Sequence, residues 1–596
     1  MFCPECGTRV DDDAFFCPEC GTKLTPIAVE SSAPEMQPRP EPDMTDCDIP
    51  RRSSTNPQPQ EDKVLVSGFI LINSYTLSKR FCIDRERVIA DANQYAAAMR
   101  PAGILYQVLD ASDYTYKKKG LLGNYKRVSL GPNNAWYEYA DITKDAYDEE
   151  IRLKHKEPEY LFIIGGDEDI PMPLMPHFMS DAPDQDIDTD LLYSYPYGKQ
   201  MGEKFVKMDI FQYDALFYVG RLPIANDGRY EDIVQYYNRA LENGLQVKMD
   251  TAYTQCDPHW KAITNEVTRN LFQNDFYPLS KSLPDTTFYN EHIWLTPYVM
   301  VDPATRQQNL PAFNEKATYY FFNMHGSAGM NDCGYYGEAM TQREFAEGMA
   351  PELMKAATRP NIFFSEACYG GRFIDYPKNN SMLLTAISHQ TLAFVGSSRV
   401  AFGAVDAQGV HLNNADVMGR IFTDSLLQGM TVGASMMAAR MATFKSSPYS
   451  PVQMTTIAEF NLYGDPLISM ALPNKSKNYS TDKSARPAPT PSQRVASTET
   501  LMNKSVGGNT SQSILDQVRS AVDKNIMEIS SVIAKQLYEQ YNIPAREPSI
   551  IQRRTYEDGH KDLNVVFPME DYGKIVNQAI IVSSENGDIQ QVITSK

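Results

Sequence analysis

Residues 361–373 read NIFFSEACYGGRF. An apolar run, Ile362-Phe363-Phe364, leads into Ser365-Glu366-Ala367-Cys368, and Tyr369-Gly370-Gly371 follows at once. A short apolar run closed by glycines predicts a buried strand meeting a turn. Such a strand sets the Cys368 thiol at the carboxyl edge of a sheet, where α/β proteins keep their sites. A second stretch repeats the pattern: residues 318–324, TYYFFNM, run into His325-Gly326. Two neighbouring parallel strands ending this way would bring an imidazole and a thiol into one crevice. A cysteine nucleophile needs its base close in space rather than in sequence.

Working outward, residues 63 to about 472 alternate strand and helix signals, the mark of a parallel α/β sheet. Strands are expected at 64–72, 103–109, 160–164, 215–219, 318–324 and 391–395. Helices are expected at 85–99, 143–154, 230–243, 260–272 and 341–349, and across 411–446, where a methionine stripe reads as core packing. Residues 25–62 and 473–510 are rich in Pro, Ser and charged or polar residues and read as linkers. Residues 511–596 read as a small α+β module. It has a long amphipathic helix at 514–541, strand-like runs at 549–553, 563–567, 579–583 and 590–594, and an Asn586-Gly587 hairpin turn.

The first 24 residues carry CPEC, ten residues, then CPEC again. Cys3, Cys6, Cys17 and Cys20 would present four thiolates to one tetrahedral ion, a zinc-ribbon pattern. A segment this short holds no core without its metal. The other five cysteines, Cys47, Cys82, Cys256, Cys333 and Cys368, are scattered, unlike a disulfide framework.

The whole chain has 596 residues, 42% hydrophobic and 11% aromatic, enough for more than one domain and a large core. A formal charge of −19 argues against general nucleic-acid binding, because no strong basic field exists to displace counterions. No apolar run reaches membrane-spanning length, and the N-terminus opens on the cysteine motif rather than on a signal peptide. The expectation is a cytoplasmic protein.

Other candidate groups rank lower. Cys333 follows His325 in a polar loop, without a buried strand before it. His259, His292 and His411 lack a strand end and a glycine partner. Asp184, Asp186, Asp188 and Asp190 are spaced like calcium ligands, but the loop lacks the glycine and the terminal bidentate Glu of an EF-hand. A basic cluster at Lys117-Lys118-Lys119 and Lys126-Arg127 reads as a solvated loop.

The segment 63–472 resembles the gingipain-like cysteine peptidases, in the clan that also holds caspases. The resemblance rests on IIGGDEDIP, TDLLYS, YVGRLPI, NMHGSAG, SEACYGG, FVGSSR and NLYGDPL, which occur in the family's order. The caspase-type Gln-Ala-Cys-x-Gly appears as Glu366-Ala367-Cys368-Tyr369-Gly370. The resemblance implies a caspase-like sheet sandwiched by helices and a Cys–His dyad, with Cys368 as nucleophile and His325 as its partner. It also implies an oxyanion hole from the backbone N–H groups of Gly326 and Cys368. Asp190 would line an S1 pocket that selects Arg or Lys, or else only cap a turn, with Ser397 and Ser398 on the same pocket wall.

The expected activity is a regulated, selective cysteine endopeptidase acting on protein or peptide substrates, with cleavage after basic residues. Its zinc is structural, and catalysis uses no cofactor. The ribbon or the C-terminal module would engage a regulatory partner. Two other classes stay open: a non-catalytic adaptor that uses the peptidase fold as a scaffold, and a transpeptidase working through the same acyl-enzyme.

Overall fold

The structure is a computed structural model. It describes residues 66–471, 495–503 and 524–595, apart from short internal stretches, of which 274–288 and 296–312 are the longest. The ribbon cysteines and residues 514–523 of the expected C-terminal helix lie outside the described residues.

Among the described residues, one sheet of eleven strands organises the fold. Its strands are β1 (Val66–Ile72), β2 (Ile104–Asp110), β3 (Tyr160–Ile164), β4 (Tyr218–Leu222), β5 (Ala252–Cys256), the short β6 (Tyr289–Asn290) and β7 (Ile293–Leu295), and β8 (Tyr319–Asn323). A side hairpin follows, formed by β9 (His325–Gly326), β10 (Tyr335–Glu338) and β11 (Phe345–Met349). The chain re-enters the sheet as β12 (Asn361–Ser365) and β13 (Thr391–Ser397), leaves it as β14 (Phe402–Ala404), and returns as β15 (Phe460–Gly464). The order across the sheet is β6-β7-β5-β8-β12-β13-β15-β4-β3-β1-β2.

The sheet is two parallel blocks joined through β15, with β6 antiparallel at one edge. Strands β2, β1, β3 and β4 run parallel to one another. Strands β13, β12, β8, β5 and β7 also run together. Strand β15 lies between the blocks and runs antiparallel to β13, with Ala393 opposite Gly464 and Ser397 opposite Phe460. Residues 188–190 link the turn after β3 to the turn after β13: Arg221 donates to the Gly165 carbonyl and to Asp190, and the Asp188 carbonyl accepts from the Ser398 hydroxyl.

Aromatic residues hold the second block. Phe322 stacks on Phe363 at 4.9 Å between ring centroids, and Phe363 stacks on Phe394 at 4.5 Å. On the opposite face Phe321 stacks on Phe364 at 5.6 Å. These strands are buried on both faces, which is why they read as unbroken apolar runs rather than alternating ones. Helices Ala415–Leu427 and Val432–Ser446 lie over the sheet, and many of their apolar residues, Met418 and Met436 among them, join the core.

The structure departs from the sequence expectations in five places. The helix expected at 341–349 is not formed by its described residues, 345–349. Residues 345–349 are β11, which pairs with β10 from Tyr335↔Met349 to Glu338↔Phe345. Cross-strand pairing overrides a segment's helix propensity there. Strand β5 was hidden because it carries Thr254 and Gln255, both fully buried; Gln255 donates from Nε2 to the Gly348 carbonyl at 3.1 Å. The helix expected from 143 begins at Trp136, where Glu138 accepts from the Ala135 N–H at 3.1 Å. The strand expected at 215–219 is β4, so Gly220 and Arg221 lie inside it rather than in a closing turn. Part of the second linker, Val495–Asn503, is a strand (β16) of the C-terminal sheet.

That sheet continues through β17 (Ile550–Tyr556), β18 (Lys561–Pro568), β19 (Gln578–Ser584) and β20 (Ile589–Ser595), and is backed by the helix Lys524–Tyr541. Gly587, at φ +88°, makes the expected turn between β19 and β20. The sixth strand of this sheet is β14, contributed by the segment that forms the eleven-stranded sheet.

Candidate active site

Strand β12 ends at Ser365, and the chain turns immediately. The Ser365 hydroxyl accepts from the Ala367 N–H at 3.3 Å, and the Gly370 N–H closes the turn on the Ala367 carbonyl at 3.1 Å. Tyr369 takes φ +55°, a left-handed conformation uncommon for a residue with a side chain. Such conformations persist where surrounding structure over-determines them. Here the Tyr369 N–H donates to the Arg399 carbonyl and the Gly371 N–H to the Ser397 carbonyl, both at 2.8 Å. The turn that carries Cys368 is thus sewn to the turn at the end of β13.

Cys368 is 1% exposed, and its thiol donates to the Ala401 carbonyl at 3.6 Å. His325 leaves β8 by way of Met324 and pairs in β9 opposite Tyr336. It is 3% exposed and held between two rings. Trp260 lies 4.6 Å from it, centroid to centroid, and Phe345 meets it edge-on at 5.2 Å. Neither ring was singled out from sequence. Trp260 stood at the start of an expected helix, and Phe345 inside another expected helix but on what is strand β11.

The two strand ends meet at Gly326. A Cβ added there would collide with the Cys368 carbonyl oxygen and lie 2.7 Å from its carbon and 2.9 Å from the Cys368 nitrogen. Only a residue without a side chain lets the His325 segment pass so close to the backbone of Cys368. The parallel pairing of β8 with β12, from Tyr319↔Ile362 to Phe322↔Ser365, sets this meeting one turn beyond the sheet.

Ser397 and Ser398 border the same turn, with their hydroxyls directed inward. The Ser397 hydroxyl donates to the Arg399 carbonyl at 2.9 Å, and the Ser398 hydroxyl to the Asp188 carbonyl at 2.7 Å. Asp188 in turn pairs with Arg399 at 2.8 Å.

Asp190 is engaged elsewhere. Its two carboxylate oxygens receive Nε and Nη2 of Arg221, each at 2.7 Å, and the arginine is fully buried. Arg221 also donates to the carbonyls of Gly165 and Ile170, so the pair ties residues 188–190 to the turn after β3. The fork-to-fork geometry expected between Asp190 and a substrate arginine is formed inside the protein with Arg221. The calcium spacing of this loop is also accounted for at two positions: Asp188 and Asp190 face guanidinium groups, the opposite of a cation site.

Beside the first block, Asp465 accepts from the hydroxyls of Tyr95 at 2.7 Å and Tyr106 at 2.9 Å. Burial pushes its carboxyl up to about 6 against these favourable bonds. His177 is pushed down to about 4 by burial and by the nearby Arg399 charge.

Comparison with known proteins gives the following. Residues 83–471 match the family model described as peptidase family C25, and residues 2–24 match a zinc-ribbon domain model. Among solved structures, that of the Arg specific cysteine proteinase gingipain R aligns with 90% of this chain and 98% of its own, at 13% identity and TM-score 0.43. The complex of the pro- and mature domains of RgpB from Porphyromonas gingivalis aligns with 89% and 99%, at 13% identity and TM-score 0.41. No curated protein matches the chain.

Proposed function

The chain belongs to peptidase family C25 and is a cysteine-type peptidase with an N-terminal zinc-ribbon domain, and from that premise we propose that it is an endopeptidase whose chemistry is carried by Cys368 and His325. The observation that supports this dyad is the meeting at Gly326, which sets the imidazole-bearing segment against the backbone of the thiol-bearing turn.

In the proposed cycle the Cys368 thiol gives its proton to the His325 imidazole, and the sulfur attacks the scissile carbonyl carbon. The developing oxyanion is stabilised by the backbone N–H groups of Gly326 and Cys368. The C–N bond breaks as the imidazolium protonates the leaving amine. Water then attacks the thioester, loses its proton to the imidazole, and releases the acid product and the thiol.

A preference for basic residues has no support at Asp190, whose carboxylate is matched by Arg221. We assign Asp190 a role in holding the loop, with Ser397 and Ser398 holding the turn beneath the nucleophile. In the ribbon, Cys3, Cys6, Cys17 and Cys20 form the all-thiolate donor set of a structural zinc site, and the metal would supply folding energy rather than catalysis. A reducing compartment suits both sets of thiols.

The test is covalent labelling with a peptidyl electrophile, followed by turnover of a peptide library. Wild type labels at Cys368 and cleaves, whereas Cys368→Ala does neither and His325→Ala labels far more slowly. Turnover that survives in Cys368→Ala defeats the proposal. A folded wild type that never labels favours the adaptor class, and amine-dependent product favours a transpeptidase.

A further inference from the structure

Strand β14 leaves the turn that anchors the nucleophile, and its two edges are occupied differently. On one side β20 runs antiparallel to it, with Phe402 opposite Ser595, Gly403 opposite Thr594 and Ala404 opposite Ile593. The Val405 N–H donates to the Val592 carbonyl at 3.3 Å, so the odd-numbered residues here turn their main-chain groups toward β20. The Ala404 N–H donates instead to the Asp416 carboxylate at 2.7 Å, so the even-numbered residues face away. Main-chain groups alternate along a strand. Carried back past Gly403, the alternation turns the Ala401 carbonyl to the β20 side, and that carbonyl is the one the Cys368 thiol meets at 3.6 Å. The thiol therefore sits beyond Ser595, on the same edge that β20 covers.

A peptide attacked at this thiol must bring a carbonyl carbon to the sulfur. An extended peptide is held by adding itself to an open strand edge, where main-chain hydrogen bonds supply affinity. The edge leading to Cys368 is the one filled by residues 593–595. The contact is built to be held: Ile593, with Ile550, Val566 and Ile580 of the same sheet, joins the hydrophobic core of the peptidase segment. It is also the shorter of the two seams. Strand β20 pairs with β14 over three residues and with β19 from Ala579↔Thr594 to Ser583↔Ile589, so the C-terminal sheet would part from β14 as a unit.

We propose that β20 is a built-in, substrate-like strand that occupies the main-chain docking edge of the site, so that peptides enter only when the C-terminal sheet is displaced from β14. This rests on Cys368 as the nucleophile and adds the device that restrains it.

The test compares the full chain with Thr594→Pro. By the same alternation, that change removes the N–H facing Gly403 and leaves the β19 side intact. A second variant ends at Gly587. Folding of each is checked by circular dichroism, and Cys368 labelling is followed by mass spectrometry with two probes, iodoacetamide and a peptidyl acyloxymethyl ketone. The expected result is a peptidyl-probe rate on the order of tenfold higher in Thr594→Pro, equivalent to about 1.4 kcal/mol. The shortened chain should react faster still, and a synthetic peptide of residues 589–596 should slow it again. The iodoacetamide rate, which reports the thiol alone, should change far less.

Equal peptidyl-probe rates in folded variants whose Cys368 reacts readily with iodoacetamide overturn the inference alone. Slower labelling in a folded variant also overturns it, by showing that β20 builds the site. A Cys368 that reacts with iodoacetamide no faster than the exposed Cys82 in the shortened chain defeats the nucleophile itself, and the inference with it.

Discussion

The two blocks of the central sheet are built alike and end differently. Around the first block the polar groups are matched within the protein. Asp169 receives Arg80 at 2.6 Å, Asp190 receives Arg221 through both oxygens, and Asp465 receives two tyrosine hydroxyls. At the carboxyl end of the second block, ring faces and backbone bonds hold the groups instead. His325 lies between Trp260 and Phe345, and the Cys368 turn hangs on the carbonyls of Ser397 and Arg399. A charge locked in a salt bridge fixes a loop but has no capacity left for a substrate. A thiol and an imidazole held through backbone and ring contacts keep their protons available for transfer. The difference supports the proposal that Cys368 and His325 carry the chemistry, with the first block serving architecture.

The largest effect that sharpens this contrast is expected from Gly326→Ala. The new methyl meets the Cys368 carbonyl and pushes the two strand ends apart, and a displacement of about 1 Å at a reacting centre costs on the order of 100-fold in rate. Steady-state kinetics should show kcat/KM falling at least that far while the melting temperature moves little. Unchanged kinetics would mean that the close approach does not position the dyad.

On the first block the expected loss is of stability rather than chemistry. Asp190→Ala leaves the Arg221 guanidinium buried without its partner, which costs about 3–5 kcal/mol. Asp190→Leu combined with Arg221→Met should recover most of that loss, because it removes both charges. Denaturant unfolding reads the stability, and a P1 library reads specificity on the variants that fold. A selective loss of cleavage after Arg or Lys, with stability unchanged, would return Asp190 to the substrate pocket and break the comparison.

The smallest effect is a slope with pH. Asp465 has its folded carboxyl raised to about 6, above the ordinary value of 3.8. The folded state therefore binds the proton more tightly than the unfolded chain does. Its contribution is fully present below about pH 4 and is lost as pH rises through about 6, by about 3 kcal/mol in total. Asp465→Asn should flatten that part of the stability profile. An unaltered slope would place the titrating group elsewhere.

Much of the second block was legible because its strands are buried on both faces. Residues 318–324 and 361–365 are unbroken apolar runs, and each ends in the reactive residue type followed closely by glycine. The ribbon was legible for a different reason: four cysteines paired at this spacing suit one tetrahedral ion, and residues 2–24 match a zinc-ribbon model. Strand β5 escaped because Thr254 and Gln255 are polar yet fully buried, and the Gln255 bond to Gly348 joins positions that no local pattern connects. Strand β11 escaped because its partner, β10, decides its conformation.

Asp190 shows the limit most clearly. By its chemistry a carboxylate in a loop near the nucleophile's turn suits a substrate cation. Its partner proved to be Arg221, thirty-one positions along the chain, and only the folded arrangement could supply it.

By itself the sequence determined the α/β class, the strand that carries the thiol, the strand that carries the imidazole, and the metal-binding pattern. All of these follow from local periodicity and residue chemistry, which act over a few positions. The tertiary structure decided the antiparallel placing of β15 between the two blocks, the partner of each buried charge, and the seating of β20 along β14. Those depend on pairings between residues far apart in the chain, where hydrogen bonding and burial choose among partners that are equivalent in local sequence.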